Sequence, residues 1–268
     1  MRKLTDFSPS DLVTAIETGF FRGWTPFGRL PEAHLYNDSA MLWFTTGIQD
    51  SLLNAILSAQ IKSSEVEAKI KAVIAYFHAR SLPLSWYTGP STRPHDLGQF
   101  LQAYGFNLAD DSVGMAVDLL KLPAKLAEIP DVSVKKTATI QEFGMWIKVF
   151  KEGFHVSAAF IDAYIRVCTE LSKHEVQDYY YLGFLNGHPV ASLTLSLDQG
   201  IANIYDVATI SEFRRRGIGT TLTLTALLDA RTLGYRVGVL QATAAGVEVY
   251  RRIGFLKFCQ FERYVFAT

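Results

Sequence analysis

The run Val207-Ala-Thr-Ile-Ser-Glu-Phe-Arg-Arg-Arg-Gly-Ile-Gly-Thr220 gathers groups suited to holding an anion. A β-branched stretch leads into a short turn rich in arginine and glycine, and an amphipathic run comes directly after it. Such a turn aims several unpaired backbone N–H groups at one spot beside the positive end of a helix dipole, which makes a phosphate site. Gly217 and Gly219 let the backbone approach a bulky anion with no Cβ in the way. Other phosphate loops fit poorly. No lysine comes after Gly219, as the loop of nucleotide hydrolases requires. The third glycine of the dinucleotide fingerprint is missing too, in a run that lies late in the chain. A plain basic turn capping a helix is the bland alternative, and a second motif near Tyr250 argues against it.

The elements that must position this turn are legible on both sides of it. Ile218 to about Leu233 reads as a helix with Ile218, Leu222 and Leu228 on one face, stopped by Gly234. Tyr235 to Leu240 then reads as a strand, Glu248-Val-Tyr-Arg-Arg-Ile-Gly-Phe255 lies on a second helix, and Lys257 to Phe266 is a terminal strand rich in aromatic residues. Upstream, Tyr179–Leu185 and Pro189–Leu197 flank Asn186-Gly187, a type I′ hairpin signal. Asp198-Gln-Gly200 turns the second of these strands into a third, Ile201 to Thr209. Two helices precede the strands. Trp146 and Phe150, four apart on one of them, read as core rather than as a substrate platform.

Arg214-x-x-Gly217-x-Gly219, with Tyr250-x-x-x-Gly254-Phe255 downstream, resembles the GNAT superfamily of N-acetyltransferases. The resemblance covers roughly Val132 to the C-terminus. It implies an α/β (α+β) acyl-CoA N-acyltransferase fold, a mixed, mostly antiparallel sheet flanked by helices. It also implies acetyl-CoA as co-substrate. The turn Arg214, Arg215, Arg216, Gly217, Ile218, Gly219 and Thr220 would take the pyrophosphate, and the strand edge Val207, Ala208 and Thr209 would hydrogen-bond the pantetheine arm as an added strand does. Thr243 stands where the family often has an asparagine that touches pantetheine. Ser211 stands in place of a frequent proline, and Gly246 in place of a usual alanine.

An amine attacking a thioester carbonyl gives a tetrahedral oxyanion and expels a thiolate. The reaction needs a deprotonated amine, a donor at the oxyanion and a proton for sulfur; it needs neither a metal nor a covalent enzyme intermediate. By resemblance Tyr250 is the general acid, although a tyrosine beside Val247 and Ile253 also suits a half-buried packing residue. An N–H near Ala208 could serve the oxyanion. For the base, the family often places a carboxylate where Asn203 stands. Asp206 is the acid inside that strand, and period-2 alternation puts it on the opposite face from Asn203 unless a bulge intervenes. A solvated amine or a water chain is the other route.

Arg214, Arg215, Arg216, Arg251 and Arg252 could suggest nucleic acid, but 26 basic and 26 acidic residues balance to a formal net charge of zero. No general field then favours a polyanion, and a local patch for the coenzyme phosphates suffices. His155, His174 and His188 lack metal-ligand spacing. His155 could line a substrate pocket or sit on the surface.

The N-terminal half carries a fainter version of the same order. Ser64–Arg80 is a helical pattern with Val66, Ile70, Val73, Ile74 and Phe77 on one side. Leu84–Thr88 reads as a strand, Pro94–Tyr104 as a helix ending in Gly105-Phe106, and Gly114–Leu119 as a strand. Leu101 occupies the place of Tyr250, and Ile61-Lys-Ser-Ser64 replaces the arginine–glycine turn. The expectation is a duplicated fold: residues 1–122 a degenerate copy that does not catalyse, residues 130–268 the catalytic one. The boundary falls between Leu122-Pro123 and Ile129-Pro130. Thr88-Gly-Pro-Ser-Thr-Arg-Pro-His95 is a turn-rich loop, on the surface or within reach of a ligand, with Ser91 and Arg93 its first residues to test.

The length, 268 residues, suits two ordinary domains. The chain shows no bare apolar span of membrane length and no leader-like start, and Cys168 and Cys259 are its only cysteines. These features predict a cytoplasmic protein without disulfides or membrane partner. The leading expectation is acetyl transfer from acetyl-CoA to a primary amine on a small molecule or peptide. A non-catalytic acyl-CoA-sensing module and an enzyme of longer acyl donors are the alternatives. The oligomeric state is not legible.

Overall fold

The computed structural model describes residues 7–123, 128–173 and 177–266. The N-terminal half runs α1 (Pro9–Trp24), β1 (His34–Asn37), β2 (Met41–Thr45), β3 (Asn54–Ala59), α2 (Val66–His78), β4 (Leu84–Thr88), α3 (Leu97–Ala103) and β5 (Asn107–Asp118). Next come β6 (Val132–Lys136), α4 (Ile140–Phe154), α5 (Ala158–Leu171), β7 (Gln177–Leu185), β8 (His188–Asp198) and β9 (Ile201–Thr209). The chain finishes with α6 (Ile218–Thr232), β10 (Val237–Thr243), α7 (Ala244–Ile253) and β11 (Leu256–Phe266). The architecture is α/β, with mostly antiparallel strands flanked by helices.

Two compact units share these elements, and neither is one continuous stretch. The first takes Met1–Gly19, Gly114–Val156 and His174–Phe258; the second takes Phe20–Val113, Ser157–Lys173 and Cys259–Thr268. Each unit therefore completes its sheet with a strand from the far half of the sequence: β5 lies next to β10, and Glu262–Phe266 of β11 pairs antiparallel with Thr88–Leu84 of β4. Residues 124–127, inside the expected boundary between copies, lie outside the described residues.

In the first unit the strands lie in the order β5-β10-β9-β8-β7-β6. The β7–β8 turn has Asn186 at φ +50° and Gly187 at φ +78°, the two left-handed positions of a type I′ hairpin. Helix α4 opens with a capping box: Thr139 Oγ1 accepts from the Glu142 N–H while the Glu142 carboxylate accepts from the Thr139 N–H. Its apolar stripe, Trp146, Val149 and Phe150, is buried, and the Trp146 indole N–H donates to the Leu193 carbonyl at 3.1 Å. Helices α4 and α6 cover opposite faces. Gly153 of α4 lies against Ala208, which pairs with Ser192; Gly183, which pairs with Ala191, lies against Ile218 and Leu222 of α6.

The second unit has the order β1-β2-β3-β4-β11. Its core contains Ile56, Ile70, Phe77, Leu84, Trp86, Leu97 and Leu101. The expected order of helix, strand, helix, Gly-Phe and strand is present as α2, β4, α3, Gly105-Phe106 and β5. The sequence reading missed α1 and β1 to β3. Leu97–Ala103 is shorter than the helix expected over Pro94–Tyr104: residues 94–96 form a turn, with the Leu97 N–H donating to the Pro94 carbonyl at 3.2 Å, before the helix begins.

Candidate active site

The turn from Ser211 to Gly217 carries two left-handed residues. Ser211–Phe213 form one 3-10 turn, Arg214 is extended, Arg215 stands at φ +65° and Gly217 at φ +76°. The first bond closing α6 runs from the Thr221 N–H to the Gly217 carbonyl at 3.0 Å. The N–H groups of Ile218, Gly219 and Thr220 precede it, and helix geometry gives them no intrahelical acceptor. At Gly217 a Cβ would come within 2.6 Å of Ile129 Cδ1 on top of the left-handed strain, so glycine fits here for two reasons.

The three arginines divide their work. Arg214 turns inward: its Nε donates to the Thr209 carbonyl at 2.9 Å and its Nη2 to the Gly153 carbonyl at 3.3 Å. It ties the turn to β9 and to the last turn of α4, where the helix dipole favours a cation. Arg215 and Arg216 are exposed, with the Arg216 guanidinium 5.9 Å from the Phe213 ring centroid. On α7, Arg251 and Arg252 pair with Glu248 at 2.8 and 3.5 Å. Arg251, bonded to that carboxylate, holds Glu248 down at about 2, so these two arginines form no free cationic patch.

The third strand bulges, and the bulge decides where Asp206 points. Ser192 pairs with Ala208 but Thr194 pairs with Tyr205, so two residues of β8 span three of β9. Asp206 absorbs the extra residue at φ +56°. Simple alternation would set Asp206 on the far face from Asn203. The bulge turns its carboxylate to the near one, where the Thr194 hydroxyl donates to Oδ2 at 2.8 Å. The Ser192 hydroxyl donates to the Asp206 carbonyl at 3.0 Å. Past Asn203, ahead of the bulge, β9 also parts from β10. The two strands pair in parallel from Val237↔Ile201 to Val239↔Asn203, while β9 runs on to Thr209 and β10 to Thr243.

That near face carries a buried polar row. Ser192, Thr194, Ser196 and Asn203 are all at most 4% exposed, and Ser196 Oγ and Asn203 Oδ1 have no hydrogen-bond partner among the described residues. Burying such a group unpaired costs about 1–3 kcal/mol. The residues of α1 that belong to this unit cover part of the row. The Tyr205 hydroxyl donates to the Gly19 carbonyl at 2.7 Å, and the Gln241 amide donates to the Ile16 carbonyl at 3.0 Å. A Cβ on Gly19 would stand 2.3 Å from Asn203 Oδ1, so only glycine lets the helix lie this close.

Tyr250 is buried on α7 at 9% exposure. Its ring meets Phe255 edge-on at 5.7 Å and leans over Gly246, where a Cβ would touch Tyr250 Cε2 at 3.1 Å. Burial pushes the hydroxyl well above the ordinary tyrosine range, so it stays protonated at neutral pH and keeps a proton to donate. Thr243 is the exposed N-cap of α7. Several sequence candidates have structural roles. Trp146 and Phe150 are core, stacked at 5.1 Å, and His155 is the exposed left-handed cap of α4. His174 lies outside the described residues. No group of three metal-ligating side chains and no helix long and apolar enough to cross a membrane occurs among the described residues.

Sequence reasoning missed Ser192, Thr194 and Gly19. A signal existed for the first two: Ser192-Leu-Thr-Leu-Ser-Leu197 alternates hydroxyl and leucine, which puts every hydroxyl on one face. Nothing local marks Gly19, whose partner lies far along the chain.

The profile of the Acetyltransferase (GNAT) family matches residues 146–255, a stretch that includes the bulged strand, the phosphate turn and Tyr250. The chain carries a GNAT acetyltransferase domain. Solved structures with this fold match most of the chain. A GCN5-related N-acetyltransferase from Kribbella flavida has a TM-score of 0.69 at 16% identity, over 94% of this chain and 95% of that one. A GCN5-related N-acetyltransferase from Sphaerobacter thermophilus has a TM-score of 0.63 at 13% identity, over 87% and 75%. A tandem GNAT protein from the clavulanic acid biosynthesis pathway has a TM-score of 0.60 at 13% identity, over 94% and 87%. These likenesses are of fold. No curated protein matches. A GNAT acetyltransferase domain implies acyl transfer from acyl-CoA.

Proposed function

We propose that the GNAT domain transfers the acetyl group of acetyl-CoA to a primary amine, of a small molecule or a peptide, by direct attack in a ternary complex. The observation that carries the reading is the bulge at Asp206. It sets a carboxylate on the face beside the edge of β9 that runs free of β10 past Asn203.

The residues take these roles. The N–H groups of Ile218, Gly219 and Thr220 bind the pyrophosphate at the close approach Gly217 allows, and Arg215 and Arg216 add positive charge. The main chain of Val207 and Thr209 offers strand-like bonds to the pantetheine arm, Ala208 between them being turned to β8 against the expectation from sequence, with Thr243 at the start of α7 beside it. Acetyl-CoA supplies the activated acyl group. Asp206 accepts the proton of the incoming amine, oriented by the Thr194 hydroxyl, and the Val207 N–H beside Ala208, on the edge turned away from β8, faces the developing oxyanion. Tyr250 holds its proton against the leaving sulfur. With its hydroxyl made less acidic by burial, it acts by hydrogen-bond donation as charge builds on sulfur, giving up the proton only late.

A panel of amines assayed for thiol release from acetyl-CoA tests the proposal. Turnover is expected with at least one class of primary amine and its loss in D206N. Tight acetyl-CoA binding without thiol release from any amine would instead favour the sensing module, and release from longer acyl-CoA alone would move the donor class. The setting proposed is the cytoplasm, where acetyl-CoA is made and used.

A further inference from the structure

The second unit repeats the parting of strands seen beside the phosphate turn, and there its own chain fills the opening. β3 and β4 pair in parallel at Ala55↔Ser85 and Ile56↔Trp86, after which β3 continues to Ala59. Just past its end, the Gln60 N–H donates to the Ala40 carbonyl on the β2 side at 2.7 Å. Backbone groups alternate sides along an extended chain, so Ala59 and Ile61 present theirs to the opposite edge. This is the edge that corresponds to Val207–Thr209 of β9. The chain leaving β4 comes back to it: the Arg93 N–H donates to the Ala59 carbonyl and the Ile61 N–H donates to the Arg93 carbonyl, both at 2.9 Å. Together they make a parallel bridge between Gln60 and Arg93.

The returning segment is tied in place. The Gly89 N–H donates to the Thr92 hydroxyl at 2.8 Å, and the Thr92 N–H donates back to the Gly89 carbonyl at 3.0 Å. The Arg93 guanidinium donates to the carbonyls of Pro90 and Thr92 at 3.1 and 2.7 Å, and Thr92 is buried. In the first unit no such segment leaves β10 among the described residues, because β10 ends at Thr243 and α7 begins at Ala244. The entry to α2 differs as well. Ser63–Glu65 form a 3-10 turn, and Lys62 lies 3.8 Å from Glu65 rather than beside an open glycine turn.

We propose that the second unit is closed to coenzyme by its own main chain. Arg93 makes the two strand-edge bonds that a pantetheine arm would make, so the whole chain holds one acyl-CoA, on the first unit. The inference rests on the reading that the Val207–Thr209 edge takes pantetheine, and the test separates the two. Hydrogen exchange is measured by mass spectrometry on the full chain, with and without saturating acetyl-CoA. Exchange over 59–61 and 92–94 is expected to be slow, by about tenfold or more relative to unstructured chain, and the same in both conditions. Fast exchange there without acetyl-CoA, or slowing on its addition, overturns the closure. Slowing over 206–220 reports separately on the first unit, and its absence would count against the coenzyme edge of β9 alone.

Discussion

At the residue scale the proposed base is Asp206, whose carboxylate and main-chain carbonyl each accept from a hydroxyl of the neighbouring strand. If Asp206 takes the amine proton, D206N lowers kcat about a hundredfold or more and leaves acetyl-CoA affinity unchanged, as steady-state kinetics with calorimetry would show. T194V keeps the shape of the side chain but removes the donor at 2.8 Å. It is expected to cost about tenfold in kcat with little change in coenzyme affinity, and T194S to restore activity. Equal loss in T194V and T194S would mean that packing, not the hydroxyl, matters. Y250F is expected to lower turnover about tenfold or more. Since burial raises this hydroxyl above its ordinary 10.0, the group stays protonated as pH rises through the neutral range. The shape of the pH–rate profile below pH 10 should therefore match between wild type and Y250F, only its height differing. A basic limb that disappears in Y250F would show that Tyr250 ionises much earlier. Sequence named Asp206 and Tyr250; it did not name Thr194, because the bulge joining Thr194 to Asp206 is a property of two paired strands.

At the element scale the phosphate turn and the covering helix each turn on one glycine. G217V forces a β-branched side chain to φ +76° and into Ile129. Acetyl-CoA affinity is expected to fall at least about tenfold, since left-handed backbone strain costs about 1–3 kcal/mol before any contact with phosphate is lost. Calorimetry showing unchanged affinity would remove the turn from the site. G19A presses a methyl group onto Asn203 Oδ1, and overpacking of this kind costs about 1–3 kcal/mol. A lower midpoint in thermal unfolding checks it. The turn was readable because its arginine and glycine residues are contiguous and flanked by strand and helix patterns. Strand Ile201–Thr209, the Asn186-Gly187 hairpin and the start of α6 were legible for the same reason: each is set by local dihedral preference and periodicity. Helix α1 was not, since its importance lies in bonds to Tyr205 and Gln241, far away in the chain.

At the scale of the whole molecule, the two compact units draw on both halves of the sequence. A fragment spanning 130–268 would keep every residue proposed for catalysis yet lose α1 and β5 from the first unit, leaving the β10 edge and the Tyr205 hydroxyl without their partners. It is expected to be poorly soluble or unfolded by circular dichroism, whereas the full chain folds. A stable, active fragment would show that the far strand and helix are dispensable. The amino-acid sequence alone determined the family motifs and the order of elements from β7 to β11 and nominated Asp206 and Tyr250 for the proposed chemistry, because these depend on short-range spacing. Tertiary structure alone decided which face the carboxylate of Asp206 takes, that Arg214 braces the turn instead of facing outward, and which distant segments complete each unit. Those outcomes depend on strand register and on contacts between residues far apart in the chain, which no local pattern encodes.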